Sequence, residues 1–236
     1  MTDVARNAQL SAGESCDFGH WRLSAGRALS AVVSQANLRN QASAVRARFS
    51  LGRCIMTRPR IVDPGATLAL SRRTTRRHFL FNPDEARQME QCYWYCLAHA
   101  AKLHGVLVHA ACLMSTHSHE VITDVRGEFP RFLQTFHRNL ALCTKAYRGW
   151  PEEVFNKKSS AVHVLLTSDA IIESIAYLIA NPVEALAVRY AQDWPGAQTL
   201  PRDIGSRVIR VKRPAHYFDA NNPEWPEVIE LRLEMP

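Results

Sequence analysis

The stretch VLVHAACLMSTHSHEVITDV, residues 106–125, decides the fold. VLVHAACLM (106–114) and HEVITDV (119–125) read as strands, and the polar STHS separates them. They predict two neighbouring strands. Upstream, Asn82-Pro83-Asp84-Glu85 combines an N-cap residue, proline at the first helical position and glutamate three after the cap, and the apolar positions that follow run to a stop at Gly105. Before that helix, ATLALSRRT (66–74) alternates apolar and polar residues as a strand does. Downstream, a second helix is predicted from about Phe129 to Tyr147, ended by Gly149 and Pro151, and SAVHVLL (160–166) is a short fourth strand. Ser168-Asp169 then caps the helix DAIIESIAYLIAN, which the Asn181-Pro182 pair is expected to break or kink.

The order β-α-β-β-α-β predicts an α+β fold of the ferredoxin-like kind, an antiparallel sheet with helices on one face. A further helix, bearing Tyr177, follows it as a C-terminal addition. Such a fold hosts many functions and licenses none by itself.

The chain has 236 residues, of which 47% are hydrophobic and 22% charged, so wholesale disorder, a coiled coil and a collagenous repeat are excluded. Its net charge of +7 suits a polyanionic partner. Much of that charge sits in residues 1–55, where seven arginines face Asp3, Glu14 and Asp17. This segment, rich in Ala, Ser, Arg, Asn and Gln, reads as a mobile basic extension. The sequence restarts at Met56 with MTRPRIVDPG, which fits a true start there and a gene-model artefact upstream. Residues 56–194 are the expected catalytic-type domain. After Trp194 the chain turns Pro-rich, with strand-like RVIRV and VIELRL, and 195–236 is expected to be a small appendage. No apolar run of about 18 residues and no leader pattern is present, so a cytoplasmic protein with no membrane partner is expected. The six cysteines include no C-x-x-C pair. Cys92 and Cys96 lie four apart on a predicted helix, a spacing that can aim two thiolates at one metal, but without a second Cys or His pair at finger-like spacing the reading is core packing.

His117 and His119 are two apart on a strand and therefore point to one face, where two imidazoles can share a divalent metal. Ten histidines in the chain give about 0.4 chance occurrences of H-x-H, so the pair alone is not diagnostic. Tyr177 and Asn181, four apart on a helix, also share a face. Read locally, they are a core aromatic and a C-cap before proline.

In combination, H-x-H on a central strand and Y-x-x-x-N-P-V about 60 residues later resembles the single-tyrosine HUH transposases, in particular the REP-associated tyrosine transposases. The resemblance spans roughly Pro64 to Trp194, including RRTTRR and YLIANPVEA. It implies His117, His119 and Asn181 as ligands of Mg²⁺ or Mn²⁺, and Tyr177 as the nucleophile. It further implies cleavage of single-stranded DNA beside a hairpin through a covalent 5′-phosphotyrosine, and a homodimer that exchanges the tyrosine helix is compatible with the same residues. The position before the first histidine, usually Asn in relatives, is Thr116, and the middle one, usually bulky and apolar, is Ser118. These departures favour the second reading, a non-catalytic hairpin-DNA-binding protein derived from such an enzyme. A third reading, an unrelated metal hydrolase built on H-x-H, lacks the further ligand set it would need. For DNA contact, Arg72, Arg73, Arg76 and Arg77 end the first strand, and Lys157 and Lys158 precede the fourth. Alternation sends Arg72 and Arg73 to opposite faces, so not all four arginines can touch DNA.

Overall fold

Ala66–Arg73 forms β1, and its alternation buries Leu68 and Leu70 on one side of the strand. The computed structural model describes residues 61–156 and 160–236; the proposed extension, the Met56 restart and Lys157 and Lys158 lie outside the described residues. Following β1 are helix α1 (Gln88–His104), strands β2 (Val106–Met114) and β3 (His117–Asp124), helix α2 (Phe129–Arg148), strand β4 (Ala161–Val164) and helix α3 (Ser168–Glu184). The chain closes with β5 (Val208–Lys212) and β6 (Val228–Arg232).

The architecture is mixed α/β with an antiparallel four-stranded sheet of order β2-β3-β1-β4. Helix α1 joins β1 to β2 across β3, and α2 joins β3 to β4 across β1, so two split βαβ units interleave. Leu68, Leu70, Ala111, Leu113 and Ile122 share one core with α1 and α2. Helix α3 covers the opposite face, where Ile175 and Leu178 pack on Ala110, Cys112, Met114 and Val121 in a second, smaller cluster.

The first long helix starts later than its local cap would place it, whereas α2 starts at Phe129 as expected. Pro83 and Asp84 belong to a turn, Arg87 takes a left-handed φ of 53°, and α1 begins at Gln88. The Asp84 carboxylate accepts from the Gln88 and Met89 amides at 2.9 and 3.0 Å, so Asp84 and not Asn82 satisfies the first free N–H groups. Asp124 does the same for α2, accepting from Glu128 and Phe129 at 2.9 and 2.8 Å. The expected stops hold, with Gly105 at φ 65° and Gly149 at φ 61° ending α1 and α2. Pro182 does not break α3, which runs on to Glu184. It removes the hydrogen bond its own N–H would have made to the Leu178 carbonyl, and the helix continues for only two residues beyond it.

The segment after α3 is built into the fold. Residues 197–199 run along the free side of β2, the Leu113 amide donating to Ala197 and the Thr199 amide to Ala111. Strands β5 and β6 form a hairpin whose Ile209, Val211, Ile229 and Leu231 join the α1/α2 core together with Phe218 and Leu233. Among the described residues no helix is long and apolar enough to cross a membrane.

His109 ties the end of the chain to the sheet at the irregularity in β2 between Val108 and Ala110. Its Nδ1–H donates to the Glu234 carbonyl at 2.9 Å, and its Nε2 accepts from the Thr123 hydroxyl at 2.8 Å. Thr67 can in turn donate to Thr123 at 2.9 Å, which makes a directed chain of hydrogen bonds. Burial lowers the imidazole below its ordinary 6.5, only partly opposed by the Glu234 carbonyl. The unfolded ring takes up a proton near pH 6.5 and the folded ring resists it, so this site stabilises fully above that pH and progressively less below it. Urea-unfolding free energy is expected to fall between about pH 7 and pH 5, and to fall less in His109→Gln. His109→Ala should cost about 1–3 kcal/mol at neutral pH, read by the same titration.

Candidate active site

The hairpin between β2 and β3 is tighter than STHS suggests. Only Ser115 and Thr116 form the turn, so His117 and Ser118 are already paired strand residues, opposite Met114 and Leu113. Period two then sorts the side chains. Ser118 and Glu120 are buried on the α1/α2 side, while His117 and His119 emerge on the α3 side. The two imidazole rings sit 4.8 Å apart, centroid to centroid, at 84°.

Helix α3 brings the remaining residues to them. The Thr167 hydroxyl caps it, accepting from the Ala170 amide at 3.2 Å, and Leu178 anchors it to the sheet. Tyr177, one residue before that anchor, is 41% exposed, and its ring centroid lies 5.8 Å from that of His119 at 87°. Asn181, one turn on, is buried; its amide nitrogen reaches the Tyr177 carbonyl at 3.4 Å and its side-chain oxygen is within hydrogen-bonding reach of His117. Trp194 and Gln198 fasten this helix to its surroundings, Trp194 Nε1 donating to the Leu113 carbonyl at 3.0 Å and Gln198 Nε2 to the Ile179 carbonyl at 2.8 Å. Nothing in the sequence marks Gln198 for this, because its partner is set by a chain path that only the fold defines.

Burial pushes His117 down to about 4 and His119 to about 3. The charge of Arg73 acts in the same direction on both, as does His117 on His119 and Arg77 on His117. Both rings are therefore neutral at physiological pH and offer lone pairs. Thr116 supplies the orientation, its hydroxyl lying 3.0 Å from His117 Nδ1, and a hydrogen bond to that nitrogen sets which ring position stays free. Neutral imidazoles beside an amide oxygen are a donor set that suits a divalent cation with open positions.

The arginine-rich turn is bonded to the same hairpin. Thr74, almost fully buried, donates its amide to the Thr116 carbonyl at 2.8 Å, and its hydroxyl lies 2.7 Å from the His78 carbonyl and 3.0 Å from that of Thr116. Arg73 pairs with His117 in the β1/β3 register. Arg76 and Arg77 follow in a 3₁₀ turn with left-handed φ values of 48° and 57°, both exposed. Arg72 leaves by the other face, donating to Ser160 Oγ at 3.2 Å and the Asn156 carbonyl at 3.1 Å, with its guanidinium 4.9 Å from the Phe155 ring centroid. Three of the four arginines thus lie at the histidine end of the sheet, and Arg72 braces the α2 side. Glu120, which sequence reasoning passed over, lies one residue beyond His119 on the buried face; it accepts from the Tyr93 hydroxyl at 2.8 Å, and burial raises its carboxyl to about 7.

Among solved structures, the chain is similar to a REP-associated tyrosine transposase bound to a REP hairpin, with a TM-score of 0.51 and 17% identity over 61% of this chain and 82% of that one. A Deinococcus radiodurans R1 protein, provisionally described as a transposase, aligns at 19% identity over 53% of this chain and 97% of its own, with a TM-score of 0.37. No protein-family model and no curated protein matches the sequence. At this identity the first likeness is one of fold.

Because α3 rests on its own small cluster, it should open more readily than the helices of the main core. Hydrogen exchange read by mass spectrometry is expected to show faster exchange in 168–184 than in 88–104. Leu178→Ala should widen that gap by about 2–4 kcal/mol of local opening energy while leaving 88–104 unchanged.

Proposed function

We propose that the chain is a transposase-like, single-stranded DNA endonuclease and strand transferase that cuts beside a DNA hairpin, working from a ferredoxin-like unit with the tyrosine helix laid across its open face. The observation that carries this reading is the convergence of Tyr177, Asn181, His117 and His119, from two elements distant in sequence, on one side of the sheet. The similar fold of a hairpin-bound REP-associated tyrosine transposase supports it. We take residues 56–194 as the unit that performs the chemistry and 195–236 as its brace.

In this reading His117, His119 and Asn181 would hold Mg²⁺ or Mn²⁺, the imidazole donors favouring Mn²⁺, and a cation bound there would supply charge withdrawal from the scissile phosphate. Tyr177 Oη attacks the phosphorus in line, losing its proton to solvent or a base. The P–O3′ bond breaks, and the departing oxygen takes up a proton to become a 3′ hydroxyl. A 5′-phosphotyrosine remains and keeps the phosphodiester's energy, so a second 3′ hydroxyl can reverse the step and join new strands without ATP. Tyr177 is exposed enough to meet a strand, while Asn181 behind it is not. Arg73, Arg76 and Arg77 would grip phosphates leading to the histidines, and Lys157 and Lys158 are proposed as further contacts.

Incubation with labelled single-stranded hairpin oligonucleotides and Mn²⁺ should give a covalent complex on a denaturing gel. Tyr177→Phe and His117→Ala should abolish it, and Thr116→Val should weaken Mn²⁺ affinity about 10-fold or more through loss of its hold on His117. Replacing Arg73 and Arg77 together by Ala should weaken hairpin binding at all sequences and lower the salt slope by about 2. Tight binding with no adduct in the wild type would make the chain a non-catalytic hairpin-binding protein. Neither binding nor adduct would end both readings.

A further inference from the structure

We propose that the chain carries a second metal site, a structural Zn²⁺ centre formed by Cys92, Cys143 and His216, with Cys96 beside Cys143 as the nearest further donor. It lies among α1, α2 and the segment between β5 and β6, and it is independent of the tyrosine site and of the function proposed for it. Cys92 Sγ and Cys143 Sγ approach to 2.6 Å, and His216 Nε2 lies 3.2 Å from the first and 3.3 Å from the second. These three ligand atoms all fall within 4.8 Å of one another. Cys96, one turn along α1 from Cys92, is within hydrogen-bonding reach of Cys143. All three cysteines are fully buried, and His216 is partly exposed.

Cysteines that only fill a core face apolar neighbours; here two sulfurs and an imidazole nitrogen point at one another, with a third sulfur beside Cys143. Thiols are weak donors and weak acceptors, so such a meeting satisfies none of these groups well. A shared cation satisfies all of them. The donors are thiolate and imidazole with no oxygen among them, which disfavours Mg²⁺ and Ca²⁺ and suits Zn²⁺, whose fourth position Cys96 would fill by a small shift toward Cys143. Zn–S bonds of about 2.3 Å place two sulfurs about 3.8 Å apart, so the ion would spread the Cys92–Cys143 pair by about 1 Å.

Binding releases the two thiol protons to solvent as two sulfur–metal bonds and one nitrogen–metal bond form. The Cys92 thiolate has a nearby counter-charge in Arg148, whose field acts on it and whose guanidinium is held by the Leu80 and Asn82 carbonyls. The His216 ring is steadied against Tyr147, their centroids 5.2 Å apart, and it borders a surface pocket lined by Lys212, Arg213 and Tyr217 that gives an ion its way in. The site would clamp α1 to α2 and hold the β5–β6 hairpin against both.

The test uses the full chain, stripped of metal under reducing conditions and titrated with Co²⁺ alone. One Co²⁺ per chain should bind with a thiolate-to-cobalt charge-transfer band and be displaced by Zn²⁺, and Zn²⁺ should raise the thermal midpoint. Cys143→Ser should lose the band and bind at least about 100-fold more weakly, whereas His117→Ala should keep it. If Cys143→Ser does not fold, the wild-type titration decides. Folded wild type without the charge-transfer band, or a Cys92–Cys143 disulfide found by non-reducing peptide mapping of freshly isolated protein, would overturn the proposal.

Discussion

The alternation of β3 is the constraint on which the site depends. His117 and His119 face α3 only because Ser118 and Glu120 face α1 and α2, and a slip of one residue in the register would bury the imidazoles and expel a carboxylate into the open. Three interactions hold that register. The two-residue turn at Ser115-Thr116 fixes the pairing with β2. Thr74 bonds the end of β1 to the Thr116 carbonyl, and Tyr93 pins Glu120 from below. The same Thr74 bonds bring Arg73 and Arg77 beside the histidines, so the position of the positive charge follows from the register too.

The electrostatics follow from this packing. A pair of histidines close to several arginines in water would differ little from free histidine. Burial removes the solvent that would stabilise their charged forms, and the guanidinium field adds to it, leaving two neutral nitrogen donors in strongly basic surroundings. An anion drawn in by the arginines therefore meets groups that do not compete for its charge.

Much of this was legible in the sequence. Alternation in ATLALSRRT, the apolar run VLVHAACLM, the glycine stops of α1 and α2, and the i, i+4 spacing of Tyr177 and Asn181 are local properties, and each reappears in the fold. What escaped was long-range or depended on context. Asp84 and Asp124 cap their helices from a turn away, which no N-cap pattern describes. Pro182 is tolerated because of where in its helix it falls. Arg72 is recruited by Ser160 and Asn156, more than eighty residues on. The approach of Cys143 and His216 to Cys92 is not legible by spacing, because they come from a different helix and from the chain's last segment, while Cys92 and Cys96 are buried in the core as expected.

The sheet's two rims are treated differently. Along β2, residues 197–199 take up hydrogen bonds that would otherwise be open, whereas β4 is four residues long, mostly exposed and borders nothing beyond β1 among the described residues. The sheet is thus a surface with one closed hem and one raw edge. From that raw edge the chain turns into α3 and crosses back over the sheet to pack on β2 and β3, so Tyr177 rides on the hemmed half and the edge left open is the half that the tyrosine helix does not cover.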